Sequence, residues 1–211
     1  MTRRALLTAA CCATGRTAFG TGDLVLSVHQ VMDGRARCTP SQLREFSETI
    51  WPEAERDFGR CGLRFAIDSG PGEIRRSPSD APIFVGLQRA RLNLVLTDLI
   101  PMNWDRARGL AGLTTVWQGY HVCVIALKYA HPNRIPFVAV NTCEHELLHA
   151  ILQDIFENRP AGLAGEAREM RIDAYATRLW LFHEGADVRE SARAYIDRLR
   201  SGPRATAAVP R

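Results

Sequence analysis

The chain has 211 residues, of which 46% are hydrophobic and 24% are charged, with 27 Lys and Arg against 23 Asp and Glu. This length and apolar content predict one globular domain with a well-buried core at residues 23–200. The basic side chains are scattered instead of forming a stripe with aromatic residues, which argues against nucleic-acid binding. No apolar run reaches the roughly 18 residues of a transmembrane helix, so no membrane span is expected.

Residues 1–22 have the outline of a bacterial export signal followed by a flexible lead-in. Two arginines precede a short apolar run that ends in small residues. Thr2–Leu7 resembles a twin-arginine signal. Thr8–Cys11 resembles a lipoprotein cleavage site without the usual Leu three residues before the cysteine. Export to the periplasm or out of the cell is therefore expected, with a cytoplasmic protein as the alternative.

Four cysteines remain after such a signal, and their even number suits an oxidising compartment. Cys38 and Cys61 bracket a predicted helix, while Cys123 and Cys143 bracket the approach to a second one. These are the two disulfide pairs expected after export, and four buried thiols are the alternative. No two of these residues have C-x-x-C spacing, which argues against a zinc site made of cysteines.

A long helix is predicted early in the domain. Thr39 suits the N-cap, Pro40 suits the first helical position, and the helix is expected to run to about Phe58. Its apolar residues recur at helical spacing, so they are assigned to the core. Pro52 is expected either to kink this helix or to restart it.

Short strands are predicted around this helix. The Gly- and Pro-containing cluster Ser69–Gly72 is expected to end one of them. Gln118 and Gly119 form a candidate hairpin turn. The strands are expected at residues 23–31, 63–67, 81–86, 91–97, 113–117, 120–127 and 135–140.

An H-E-x-x-H pattern occurs at His145, Glu146 and His149. Residues four apart share one face of an α-helix, so both imidazoles can reach a single metal ion. A catalytic zinc takes three protein ligands and keeps a fourth position for water, whose pKa it lowers to about 7. The pattern predicts a Zn²⁺-dependent hydrolase in which Glu146 takes a proton from that water as general base. The alternative is a surface helix that carries two unrelated histidines.

The helix around this pattern is expected to begin at Asn141 or Thr142 as the N-cap. Glu144 lies three residues after Asn141, as a capping box requires. Apolar residues cover much of the remaining circumference, which predicts a buried central helix. Buried His and Glu side chains need compensation, and a bound metal provides it.

The third ligand is expected further along the chain. Asp154 lies nine residues beyond His145, on the opposite face of a continuing helix, and is rejected. The next predicted helix, about residues 164–183, offers three acidic side chains on one face. They are Glu166, Glu169 and Asp173.

Glu169 follows His149 by twenty residues, and Asp173 follows Glu169 by four. This arrangement resembles that of the gluzincin metallopeptidases, the zincin-type family that includes the thermolysin-like enzymes. The stretch Glu169–Ala176 is also similar to the corresponding helix of small ImmA/IrrE-like metallopeptidases. The resemblance spans about residues 141–177.

The resemblance implies a zinc site on His145, His149 and Glu169. It also implies that Asp173 accepts the ring N–H of His145, which fixes the tautomer of a metal-bound imidazole. Glu166 is the competing ligand, although no acidic residue lies four positions beyond it.

The family resemblance implies an α+β, zincin-like fold. Such a fold has a mixed twisted sheet with a backing helix, a central HExxH helix and a following helix that supplies the third ligand. The implied activity is hydrolysis of peptide bonds in a peptide or protein substrate. Larger gluzincins add a Tyr and a His that stabilise the oxyanion, and the candidates for these roles here are Tyr120, His121, Tyr175 and His183.

The remaining expectations concern the alternative function, the edge of the sheet and the C-terminal part of the chain. A non-proteolytic zinc-binding domain with a structural or partner-sensing role is the second hypothesis, and Glu146 argues against it because a structural site needs no general base. Residues 113–117 are expected at the sheet edge, where they could hold an extended peptide by strand addition. Residues 187–199 are predicted to form an amphipathic helix, and residues 201–211 a disordered tail.

Overall fold

The structure is a computed structural model that describes residues 23–77, 82–98, 100, 110–134, 139–152 and 165–201. The expectations for the export signal at residues 1–22, for Asp154 and for the tail beyond Ser201 lie outside these ranges. Among the described residues, no helix combines the length and the apolar character that a membrane crossing requires.

Six strands form one mixed sheet. They are β1 (Leu24–Asp33), β2 (Leu63–Arg76), β3 (Pro82–Val85), β4 (Leu92–Thr97), β5 (Gly112–Trp117) and β6 (Tyr120–Ala126). The order across the sheet is β3-β2-β1-β4-β6-β5. The four inner strands are parallel, and β3 and β5 pair antiparallel at the two edges. Strand β4 is buried along its whole length, as expected for a parallel strand covered on both faces.

Four helices accompany the sheet in the described part of the chain. Helix α1 comprises Pro40–Glu45, a π-helical turn at Phe46–Ile50 and Trp51–Arg60; α2 is Thr142–Ile151; α3 is Gly165–Thr177, extended by a π-helical turn at Arg178–Phe182; and α4 is Ala186–Ser201. The α+β class is therefore confirmed.

The start of α1 confirms the predicted cap. The Thr39 hydroxyl accepts from Gln42 N at 3.3 Å, and the Gln42 side chain accepts from Thr39 N at 2.7 Å. Pro52 lies in the first turn of the α-helical segment Trp51–Arg60, as the expected restart would place it. A π-helical turn precedes it, with Trp51 N bonded to the Phe46 carbonyl. Proline has no N–H to donate to the carbonyl four residues back and clashes with it, so the wider turn accommodates the ring without a break.

The prediction that Ser69–Gly72 ends the second strand is wrong. Strand β2 runs in register with β1 as far as the pair Asp33 and Gly72, and then pairs with β3 from Glu73 onward. A Cβ at Gly72 would overlap Val31 Cγ1 and the Val85 carbonyl oxygen. The absence of a side chain at Gly72 therefore allows β1 and β3 to approach β2 closely, and the residue does not form a turn.

The β5–β6 hairpin is confirmed as predicted. Gln118 and Gly119 have φ angles of 49° and 79°. Positive φ at both central residues defines the type I′ turn, whose twist matches that of the flanking strands. The strand expected at residues 135–140 lies largely outside the described ranges, which omit residues 135–138. At its described end, Ala139 forms a bridge with Arg134.

The main core lies between one face of the sheet and the helices. Phe58 of α1, Leu94 of β4, Leu148 of α2 and Tyr195 of α4 are fully buried in it. A smaller cluster on the opposite face contains buried residues of β4 and β6. Burial of each large apolar side chain stabilises the fold by about 1.5–3 kcal/mol. This packing fixes α2, with its histidines, against the sheet.

Neither of the two expected disulfides is present. Cys38, Cys61, Cys123 and Cys143 are free thiols. The Cys61 thiol donates to the Phe58 carbonyl at 3.0 Å, and the Cys123 thiol donates to the Glu146 carbonyl at 3.4 Å. Burial raises the pKa of the Cys123 and Cys143 thiols, so both stay protonated at neutral pH.

Candidate metal centre

The start of α2 is fixed by one buried side chain. Asn141 is the N-cap, and its Oδ1 accepts from Glu144 N at 3.1 Å. Its Nδ2 donates to the Ile50 carbonyl in α1 at 2.7 Å. The same amide therefore caps α2 and bonds it to α1. These two contacts fix the orientation of the helix that carries His145 and His149.

Glu144 does not complete the expected capping box. Both of its carboxyl oxygens are buried and have no hydrogen-bond partner among the described residues. Burial raises the pKa of this carboxyl well above its usual range, and the nearby Asp57 carboxylate raises it further. Burial therefore favours the neutral form of Glu144, because a buried carboxylate is costly to ionise, although the Asn133 side chain and Arg56 lower its pKa in part.

Three predicted ligand atoms converge at one point, and we call His145, His149 and Glu169 the triad. The Nε2 atoms of His145 and His149 lie 3.0 Å apart, and each lies 3.0 Å from Glu169 Oε2. Helix α2 supplies both imidazoles from adjacent turns, and α3 supplies the carboxylate. Within the described ranges, this is the one group of three or more His, Cys, Asp or Glu side chains whose ligand atoms lie close enough to share an ion.

The donor set of the triad fits a zinc ion. Ligand atoms about 2.1 Å from a tetrahedral zinc lie about 3.4 Å from one another, and the three separations here are 3.0 Å. Two imidazole nitrogens and one carboxylate oxygen are the ligands that catalytic zinc takes in several hydrolases.

Asp173 orients the first histidine. Its Oδ1 lies 2.8 Å from His145 Nδ1, which leaves Nε2 directed at the triad. Burial alone lowers the pKa of His145, but the hydrogen bonds with Asp173 and Glu169 outweigh it and raise the pKa to about 9. A carboxylate on the distal ring nitrogen fixes the tautomer and makes the metal-facing nitrogen more basic.

The pKa values of the other two members of the triad are lowered, in contrast to that of His145. Burial lowers the pKa of His149, and the neighbouring His145 charge lowers it further, which favours the neutral ring that a metal requires. The hydrogen bond from His145 lowers the pKa of Glu169 to about 2. Arg168 Nε lies 4.0 Å from Glu169 Oε1, the oxygen directed away from the histidines.

The expected general base lies beside the triad and is 5% exposed. Burial raises the pKa of Glu146 to about 7, although the His145 charge and a hydrogen bond from Thr114 lower it. The Thr114 hydroxyl in β5 lies 2.7 Å from Glu146 Oε2. A carboxylate whose pKa lies near neutrality can both accept and return a proton at pH 7.

No local pattern in the sequence indicates that β5 contacts Glu146. The alternation of a strand places Gly112 and Thr114 on the same face of β5, and that face meets α2. The period-two pattern of residues 113–117 predicts a strand, but it does not show which element packs against each face. Thr114 and Glu146 are 32 positions apart in the chain, so their contact is a tertiary one.

The four oxyanion candidates have contacts elsewhere. Tyr120 packs against Trp117, His121 packs edge-on against Tyr195, and Tyr175 lies under Arg178. His183 lines a cavity of about 420 Å³ at the start of α4, with residues that include Arg60, Cys61 and Arg189. The side chain of Glu166, the competing ligand, lies outside the described part.

Comparisons of the chain with protein-family models, with curated proteins and with solved structures find no match. The convergence of the triad, with Asp173 behind it and Glu146 beside it, is therefore the observation on which a function can be argued.

Proposed function

We propose that the protein is a zinc-dependent metallopeptidase with a zincin-like fold and a gluzincin-type site. The observation that carries this proposal is the 3.0 Å convergence of His145 Nε2, His149 Nε2 and Glu169 Oε2. Asp173, bonded to His145 Nδ1 at 2.8 Å, supports it because it leaves the Nε2 lone pair free for a metal. Zinc bound there would acidify water and polarise the scissile carbonyl.

Glu146 has the position and the acidity of a general base. It is buried next to the histidines, and its pKa of about 7 allows it to take a proton from water at neutral pH. The resulting acid returns that proton to the leaving amine as the peptide bond breaks. Both transfers use the same carboxyl group, so the reaction needs no second acid among the described residues.

The outer edge of β5, as the described strands leave it, suits an extended peptide. β5 is the last strand in the sheet order, and it pairs only with β6 among the described strands. Ala126 N donates to the Ala111 carbonyl, which identifies the hydrogen-bonded pairs of this antiparallel ladder. The backbone polar groups of Gly112, Thr114 and Val116 therefore point to the open edge, where a substrate strand would pair with them.

The substrate edge is tested at Val116. Val116→Pro removes one outward N–H and keeps the β6 pairing, because this N–H faces away from β6. We expect KM for peptides to rise several-fold, whereas Val116→Ala, the matched control, keeps the N–H and the wild-type KM. Equal KM values for the proline and alanine variants would remove strand addition from the proposal.

The activity itself is tested by comparing Glu146→Gln with the wild type on a peptide library, with zinc content measured for both. We expect Glu146→Gln to retain zinc and to lose hydrolysis. Glu144→Gln is the matched control, since it makes the same carboxyl-to-amide change at a buried position of the same helix. Equal cleavage by the wild type and Glu146→Gln would exclude the proposed mechanism.

A non-proteolytic zinc domain is the second candidate. Structural zinc sites have four protein ligands, whereas the described group consists of three side chains, His145, His149 and Glu169. A protein that binds one equivalent of zinc but cleaves no peptide in the library would favour this second candidate.

A further inference from the structure

Two residues of strand β5, Thr114 and Gly112, lie against the side chain of Glu146. The Thr114 hydroxyl oxygen lies 2.7 Å from Glu146 Oε2 and 2.8 Å from the Glu146 carbonyl oxygen. A hydroxyl has one proton, so it donates to one of these acceptors at a time. The Cys123 thiol also donates to the Glu146 carbonyl, at 3.4 Å, so that carbonyl has a second donor. The carboxyl oxygen Oε2 is also the nearer of the two acceptors to the Thr114 hydroxyl. Both observations favour donation from Thr114 to the Glu146 carboxyl group.

Gly112 leaves the space that the Glu146 side chain occupies. A Cβ at position 112 would overlap Cγ, Cδ and Oε1 of Glu146. Gly112 is not among the glycines with positive φ, so an alanine is excluded here by space and not by backbone conformation. Any side chain at this position would push the carboxylate away from its present place.

The same residue that contacts the base also faces the open sheet edge. The Thr114 backbone N–H and carbonyl point away from β6 because the pair Thr114 and Cys123 is of the non-hydrogen-bonded type. Its side chain meanwhile reaches Glu146. One residue thus connects the backbone that would pair with substrate to the carboxylate that would move the proton.

We infer that Thr114 and Gly112 are positioning residues of the peptidase proposed above: the Thr114 hydroxyl fixes the Glu146 carboxylate beside the triad, and Gly112 leaves room for it there. This role rests on the proposed function. Because proton transfer requires a base within hydrogen-bond reach of water, a displaced carboxylate slows the chemical step more than it weakens peptide binding.

The first experiment separates kcat from KM. Thr114→Val keeps the shape and removes the hydroxyl, and we expect kcat to fall about 10- to 100-fold while KM changes little. Thr114→Ser restores the hydroxyl and is expected to recover most of kcat. Full kcat in Thr114→Val, or no recovery in Thr114→Ser, would overturn the positioning role of Thr114.

Gly112→Ala tests the second contact. We expect it to bind one equivalent of zinc and to lose about 100-fold in kcat, because the added methyl displaces Glu146. Gly34→Ala is the matched control: its Cβ meets one backbone oxygen at an ordinary 3.4 Å, so activity should be unchanged. Wild-type kcat in Gly112→Ala would overturn the role of Gly112.

The second experiment needs no peptidase activity. A double-mutant cycle of Thr114→Val and Glu146→Ala is measured by denaturant unfolding of the metal-free protein at pH 8. We expect the two losses in the unfolding equilibrium constant to be coupled by about 3- to 10-fold, as for one hydrogen bond.

Independent effects in this cycle would show that Thr114 donates to the Glu146 carbonyl, which overturns the inference. If the wild type cleaves no peptide, the proposed function fails, and the cycle still decides whether Thr114 fixes the carboxylate. The two failures are therefore distinguishable.

Discussion

Asp173 Oδ1 lies 2.8 Å from Nδ1 of His145, so a carboxylate of α3 orients an imidazole of α2. Residues 153–164, which join the two helices, lie outside the described ranges. The hydrogen bonds that join these two helices in the described ranges are those of the triad and Asp173. These hydrogen bonds therefore help to fix the position of α3 against α2.

Asp173→Asn is expected to weaken zinc binding about 10- to 100-fold, as loss of a carboxylate behind a histidine ligand does in zinc enzymes. The amide keeps the shape but no longer makes the His145 ring more basic. A competition titration with a chromophoric chelator measures the effect. Asp197→Asn, an exposed change on α4, is the control, and equal affinities for the two variants would contradict the role of Asp173.

Zinc affinity is expected to rise with pH. The pKa of His145 in the metal-free protein is raised to about 9, so below that pH the ring is protonated and must release its proton before it binds a metal. Affinity should therefore increase about tenfold per pH unit from pH 7 and level off near pH 9. Calorimetry in buffers of different ionisation enthalpy counts the released proton, and affinity that does not vary with pH would contradict the prediction.

The stability of the metal-free protein should change in the opposite direction with pH. The folded-state pKa of His145 is raised above its usual 6.5. The protonated ring therefore stabilises the folded state fully below about pH 6.5, and this contribution is lost as the pH rises through 9. Urea unfolding in the presence of a chelator measures the trend. His145→Gln should remove this dependence, and an unchanged slope in that variant would assign it to another group.

Zinc is expected to stabilise the fold. At a free zinc concentration 100 times its Kd, linkage gives about 2.7 kcal/mol, which for a domain of this size raises Tm by about 5–10 °C. Thermal unfolding with zinc or with chelator measures the shift. His145→Ala is the control and should show almost none, so the same shift in that variant would place the zinc elsewhere.

Asn141→Ala is expected to destabilise the protein by about 2–3 kcal/mol, because it leaves Glu144 N and the Ile50 carbonyl buried without this partner. Denaturant unfolding gives the value. Thr39→Ala removes an exposed cap at the start of α1 and should cost about 1 kcal/mol. Equal costs would show that the contact with α1 contributes little.

The local signals in the sequence predicted most of the elements. Thr39 with Pro40 began a helix, and Gln118 with Gly119 formed the hairpin turn, because caps and tight turns depend on residues next to one another. The HExxH spacing placed His145 and His149 on one face for the same reason.

The errors concern contacts between distant segments. Gly72 was interpreted as the end of a strand because its neighbours Val31 and Val85, which exclude a side chain there, are not visible in the local sequence. Glu144 was expected in a capping box, but packing against α1 buries it. Thr114 was not predicted at the site, since nothing in its own neighbourhood indicates that it meets Glu146.

Burial of Glu144 has a consequence for the electrostatics of the site. Its raised pKa favours the uncharged form, so the residue directly before His145 contributes little negative charge. The negative charge that a bound cation would meet is then concentrated on Glu169, whose pKa is lowered to about 2. Attraction for a cation is thus focused on the point where the three ligand atoms converge, instead of being spread along α2.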